Sequence, residues 1–377
     1  MFQIIREFRV GRPQIYAGLI LLVFFAQCLW VARGRKFSEL EYQYINSGFA
    51  PPSGQQYRGS SPFTEWVAAL PLRAIAAARA YGPSFLSSAL AIPRPWLVRL
   101  PFMIFGVWLG GALWWVARRL FDDAGGYVAL VLYCSSPAMI KISSNIGPEI
   151  ILAWSGLGMI YTAIGVAHTL YAPPRKWVPR IGILGLSIGF ALSTALWSFT
   201  LVLLAFAFMI YLAPGRRRSV LIVLGGASAI GLAVLGVVSW LTGATLLGFH
   251  SLITPKPTLD LLKGLWFVFT DGYVLGGFFI VALTAYGSWT RARYFGNSAP
   301  LITAFSAVLL FSLVPAIRVW NATLGLSFMF IFIGGIAADF LETSFRRSVA
   351  AILLAGLALR IVLALIDLNR WIHQIQV

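Results

Sequence analysis

The sequence predicts an all-α integral membrane protein of about 11 transmembrane helices, with a long first extracytoplasmic loop that contains interfacial helices. Composition is the first observation behind this: 59% of the 377 residues are hydrophobic and 11% charged, where soluble domains carry roughly a quarter charged residues. Mean hydropathy, at +0.83, points the same way. Apolar runs of about twenty residues then recur along the chain, each long enough to cross a hydrocarbon core of about 30 Å at 1.5 Å per helical residue.

The first run, 15–32, has an apolar core longer than the roughly 7–15 residues of a signal peptide, and no small-x-small cleavage site follows it. It is expected to be a retained helix. The segment 33–96 departs from the membrane pattern, with turn residues Gly48, Pro51, Pro52, Gly54 and Gly59. Its middle, from Pro62 to Tyr81, places Trp66, Leu70 and Ala74 or Val67, Leu72 and Ile75 near one face, with Arg73 and Arg79 as the charged positions, which suits a helix lying in the interface. Spans follow at 97–117, 124–141, 149–171, 179–195, 197–213 and 219–241. A second large loop, 243–271, carries His250, Lys256, Asp260, Lys263 and Asp271. Spans at 272–289, 299–317, 321–340 and 347–367 complete a single transmembrane domain over 1–377.

Formal net charge is +17, but the basic residues are scattered between apolar runs and form no continuous face, so nucleic acid is not an expected partner. Topology accounts for them. Arg6, Arg9, Arg12, Arg118, Arg119, Arg175, Lys176, Arg180, Arg216, Arg217, Arg218, Arg291, Arg293, Arg346 and Arg347 fall in alternate short loops; Lys141, Lys256, Lys263, Arg318 and Arg370 fall on the other side. The positive-inside rule then places the N-terminus in the cytoplasm and the C-terminus outside, in the inner membrane. Cys28 and Cys134 lie inside predicted helices, and His168, His250 and His373 are dispersed, so no disulfide framework or metal motif is expected. Gly106 with Gly110, Gly185 with Gly189, and Gly272 with Gly276 have the spacing that lets helices approach closely in lipid. No internal repeat marks a transporter.

Ionisable groups near membrane depth are costly, and so are the first places to look for chemistry. Glu39 and Glu41 follow the first helix in Ser38-Glu39-Leu40-Glu41-Tyr42-Gln43-Tyr44. A carboxylate there suits a general base that takes a proton from an acceptor as it attacks a sugar anomeric carbon; it equally suits an acid that offsets Arg33, Arg35 and Lys36. Glu149, after Pro148, reads either as a site residue or as a helix-start acid. A divalent ion on Glu39, Glu41 or Glu149 lacks the number of oxygen ligands that hard ions use.

The first 170 residues resemble the GT-C glycosyltransferases that use polyprenyl-phosphate sugars, the group of protein O-mannosyltransferases and aminoarabinose transferases. The resemblance is carried, in order, by the Ser38–Tyr44 segment, Ser61-Pro62-Phe63, Val98-Arg99-Leu100-Pro101-Phe102 through Ala117-Arg118-Arg119-Leu120-Phe121, and Ser135-Ser136-Pro137 through Ser143 to Gly147-Pro148-Glu149. It implies an enzyme that transfers a sugar from a polyprenyl-phosphate donor on the extracytoplasmic face with inversion. Glu41, with Glu39 close behind, would be the base, and Glu149 and Tyr44 would shape the site. The motif departs from the family's adjacent Asp-Glu, since Leu40 separates the two acids and both are Glu. Pro315-Ala316-Ile317-Arg318-Val319-Trp320 resembles the family's late basic segment, which makes Arg318 a candidate phosphate ligand, with Lys256 and Lys263 adding charge. The implied partners are a lipid-linked sugar and membrane lipids. The alternative is a catalytically inactive GT-C-like subunit of a larger complex, which would bind a membrane-protein partner.

Overall fold

The structure, a computed structural model, describes residues 11–49, 61–81, 94–171, 173, 177–242, 266, 270–271, 274–288, 300, 302–303 and 323–373. Among the described residues every regular element is helical. In chain order these are α1 (Arg12–Gly34), α2 (Glu39–Phe49), α3 (Pro62–Tyr81), α4 (Pro95–Cys134), α5 (Pro137–Ser143), α6 (Pro148–Thr169), α7 (Val178–Thr194), α8 (Phe199–Leu212), α9 (Arg217–Thr242), α10 (Leu275–Ser288), α11 (Thr323–Leu341) and α12 (Arg346–His373). Six of them are long and apolar enough to cross a membrane: α1, α4, α6, α9, α11 and α12; α7, α8 and α10 are shorter apolar helices.

The 40-residue α4 holds two legs. They fold back at Phe121 and Asp122, where Asp122 takes φ 65° and ψ −174°, a strained backbone region that residues other than glycine seldom adopt. Tyr133 in the second leg donates to the carbonyl of Gly106 in the first at 2.7 Å, locking the legs together. The sequence-predicted spans 97–117 and 124–141 correspond to these legs with one correction. The second leg stops at Cys134 and a separate buried helix, α5, begins at Pro137. Proline cannot donate to the preceding turn, and Ser136 caps the new helix by accepting from the Met139 amide at 3.2 Å. Hydropathy missed this break because α5 is itself apolar and buried.

In lipid there is little hydrophobic gain when one apolar helix meets another, so association depends on close backbone approach. At α7 and α9, a Cβ on Gly185 would stand 2.6 Å from Ile230 Cβ, and one on Gly231 would stand 2.7 Å from Ile188 Cγ2. At the crossing of α4 and α11, Gly334 packs onto the Gly125 carbonyl and Gly335 onto the Phe121 ring. Of the paired glycines read from the sequence, Gly106 and Gly110 press against Ser143 and against Leu21 and Tyr133 respectively; Gly272 lies outside the described residues. The centre of the bundle is α11, buried along nearly its whole length against α4 and α6. At the rim, α12 exposes most of its apolar side chains, as a lipid-facing helix does.

Candidate active site

Polar residues meet where α1 and α5 end and α2, α4 and α6 begin. Arg99, in the first turns of α4, is fully buried. Its five N–H donors are all engaged: Nε to Glu41 Oε1 at 2.8 Å, Nη2 to Glu41 Oε2 and the Lys36 carbonyl, and Nη1 to the carbonyls of Ala32 and Arg35, the last four at 2.9 Å. The guanidinium therefore caps the C-terminal end of α1 and grips α2 at once. Glu41 in turn accepts from the backbone amides of Ser38 at 2.8 Å and Ile146 at 3.1 Å. A carboxylate has about four lone-pair sites and a guanidinium five donors, so the pair is closed on itself.

Burial disfavours the charged form of Glu41, yet the Arg99 hydrogen bonds and charge and the two amides outweigh it and hold the carboxyl below its ordinary range. Glu39, two residues earlier at the start of α2 and so on nearly the opposite face of the helix, is exposed. Through Ile146 the clamp also fixes the α5–α6 connection, and Glu149 sits three residues farther on in the first turn of α6, beside Gly147. Structure thus brings the acidic segment of 38–41 to the Pro148-Glu149 segment read from the sequence. Tyr44, half-buried in α2, packs against the core. Arg318, Lys256 and Lys263 lie outside the described residues.

Two participants carried no role in the sequence, Arg99 and Glu65, and a third, Arg35, entered only as a charge to be offset. Arg99 stood inside a quoted motif with nothing to show its partner, which is 58 positions away. Arg35 donates to Asn145 Oδ1 at 2.7 Å, and burial pulls its pKa down to about 10, with Glu41 opposing and Arg99 adding to the effect. Glu65, in the first turn of α3, is 3% exposed and its Oε2 has no hydrogen-bond partner. Burial raises its carboxyl to about 7 against a smaller pull from the Ser61 amide. An acid set between Thr64 and Trp66 on an otherwise apolar face was the available signal. Around it, Ser61 Oγ donates to the Thr194 carbonyl at 2.6 Å and pins α3 to the end of α7, while Phe63, Phe190, Phe105 and Trp154 form an aromatic cluster with ring centroids 5.0 to 6.4 Å apart. Among the described residues no group of three His, Cys, Asp or Glu side chains could hold a metal ion.

A sequence model for dolichyl-phosphate-mannose-protein mannosyltransferases matches residues 85–240. That segment is less than half of the chain and begins after Glu39, Glu41 and Glu65. No curated protein sequence matches. Among solved structures, apo ArnT from Cupriavidus metallidurans is similar with a TM-score of 0.63 at 15% identity, over 92% of this chain and 63% of ArnT; the same protein bound to undecaprenyl phosphate gives 0.62 at 15% identity, over 91% and 63%. The oligosaccharyltransferase AglB from Archaeoglobus fulgidus, in complex with an inhibitory peptide and a dolichol-phosphate, gives 0.57 at 13% identity over 94% of this chain and 56% of AglB. The chain spans less than two thirds of the length of either relative. Likeness at this identity establishes a shared fold, a multi-pass bundle of apolar helices.

Proposed function

We propose that this protein is a membrane glycosyltransferase that takes a sugar from a polyprenyl-phosphate donor and gives it to an acceptor hydroxyl or amine. The observation that carries the reading is the pairing of a fold shared with ArnT over more than nine tenths of the chain with an acidic segment held rigidly at one end of the bundle. The ArnT and AglB structures contain polyprenyl-type phosphates, the donor class assigned here. In this reading the bundle has 11 spans in the inner membrane, its N-terminus is cytoplasmic, and the Glu41 end faces outward with the C-terminus.

Of the two candidate bases, Glu39 has the exposure that proton transfer needs, and Glu41 has its acceptor sites filled. Glu39 would take the acceptor's proton as the nucleophile forms its bond to the anomeric carbon. The carbon–oxygen bond to phosphate breaks in the same displacement, and the configuration inverts. Glu41 serves by fixing the α2 turn on which Glu39 stands. Glu149 and Tyr44 would border the sugar, and Arg318, Lys256 and Lys263 would hold the leaving phosphate, where preorganised cations count most. The acidic and basic groups suffice for this displacement, so no divalent cation is assigned a step.

A second reading has its own support. The closed Glu41–Arg99 pair is what an inactive GT-C-like subunit would keep as a structural clamp, with the membrane-protein partner supplying function. Native mass spectrometry of protein purified from its own membranes separates the two. For the transferase, wild type and Glu39→Gln carry a polyprenyl-phosphate sugar, the lipid accumulates in the variant, and transfer falls by about 10²–10⁴-fold. Glu41→Gln is expected to lose thermal stability before it loses donor binding. A stoichiometric protein partner with no such lipid in any sample overturns the transferase reading.

A further inference from the structure

The last helix brings a tryptophan to the Glu41 end, where it meets two cations that the proposed displacement leaves unused. Arg35, just past α1, lays its guanidinium over the Trp371 indole with Cζ 3.7 Å from the ring centroid. Lys141, in the last turn of α5, places Nζ 5.4 Å from the same centroid. Both fall within the roughly 6 Å reach of a cation–π contact, which offsets only about 0.5–2 kcal/mol per pair.

Their partners differ. Lys141 is paired with Asp367 at 2.6 Å, one turn before Trp371 on the same face of α12. Arg35 has neutral Asn145 on Nη1. The nearest acid, Glu41, has its acceptor sites filled by Arg99, Ser38 and Ile146, and no carboxylate is ion-paired with Arg35 among the described residues. Its Nε is buried and without a partner, a state that costs a buried donor about 1–3 kcal/mol. With Nη1 committed to Asn145, the edge carrying Nε and Nη2 is the planar fork that matches two oxygens of a phosphate.

We propose that Arg35, with Lys141 across the Trp371 ring, seats a phosphate oxyanion of the monoester or diester class. The anion would satisfy the unpaired Nε and the surplus positive charge together, and Lys141 would share itself between Asp367 and the ligand. Two sources carry this chemistry: the headgroup of a polyprenyl-phosphate lipid, and free inorganic phosphate. The lipid source rests on the transferase reading; the seat itself does not.

The test uses the full chain in detergent with farnesyl phosphate, farnesol and inorganic phosphate as separate probes, and binding rather than sugar transfer as the readout. Arg35→Gln is expected to weaken farnesyl phosphate about 10–100-fold, the range for a hydrogen bond to a charged group, and to leave farnesol unchanged. Arg35→Lys keeps the cation on the ring without the fork and is expected to weaken it about tenfold; this variant decides the matter where Arg35→Gln does not fold. A loss confined to farnesyl phosphate identifies a lipid headgroup, and a matching loss for inorganic phosphate identifies free phosphate. Full retention of both anions in Arg35→Lys and Lys141→Gln, or a wild-type chain that binds neither, overturns the seat. A chain that binds phosphate but transfers no sugar keeps the seat and loses the transferase.

Discussion

At the scale of single residues, three glutamates near one end of the bundle sit in three electrostatic settings. Glu41 is buried and saturated, Glu39 is exposed, and Glu65 is buried with an unpaired oxygen. Their sign with pH differs accordingly. Glu41, held below its ordinary range, contributes stability that is present above the unfolded carboxylate pKa and is lost as pH falls through the folded value. Glu65 runs the other way. Its folded value of about 7 lies above the unfolded 4.5, so the folded state holds the proton longer and stability declines as pH rises from about 4.5 to 7. Glu65→Gln keeps the shape and removes the titration. Thermal melts in detergent should show the variant and wild type alike near pH 4.5 and the variant more stable at pH 8, by at most about 3 kcal/mol. Equal melting at pH 8 would mean that Glu65 gains a charge partner when ionised.

At the scale of elements, glycine position decides whether a helix can pair. Gly189 of α7 lies against Val234 and the Gly231 carbonyl of α9, while Gly225 on the exposed face of α9 has nothing within 4 Å of where a Cβ would stand. Gly189→Ala should therefore force the two helices apart at a cost of about 1–3 kcal/mol. Gly225→Ala should be neutral or stabilise by up to about 1 kcal/mol through helix propensity. Comparing the melting temperatures of the two variants checks this, and equal effects would show that the α7–α9 crossing is not tight. The sequence carried this much of the element: Gly185 and Gly189 were legible as a close-approach pair from their spacing alone. Its partner could not be read, because Gly231, Ile230 and Val234 sit on a helix some forty positions on, and spacing says nothing about which neighbour a helix chooses.

For the whole molecule, the lightly packed α12 is tied to the bundle by polar clasps. Arg360, fully buried, bonds the Asp271 carboxylate at 2.6 Å and carbonyl at 2.5 Å, and reaches Ser135 Oγ at 3.1 Å. Asp271 Oδ1 also accepts from the Ala138 amide that opens α5. Arg360→Gln strands a buried carboxylate and should cost about 3–5 kcal/mol, whereas Arg360→Gln with Asp271→Asn should recover most of it, because a missing pair costs less than a broken one. Thermal unfolding of the two proteins measures the difference; no recovery in the double variant would assign the loss to the Arg360 bonds to Ser135 Oγ and to the Leu132 carbonyl, the latter at 3.4 Å. By itself the sequence determined that the chain is a bundle of apolar helices, where most of them run, and that acids follow the first of them, since lipid imposes length and hydropathy on every span. Only the tertiary structure decided which acid is closed, which is open and which is buried alone. Arg99 meets Glu41 across 58 positions, Arg360 meets Asp271 across 89, and Trp371 meets Arg35 from the far end of the chain. Long-range contacts of this kind have no local periodicity to announce them, because they depend on how the helices pack and not on how each one forms.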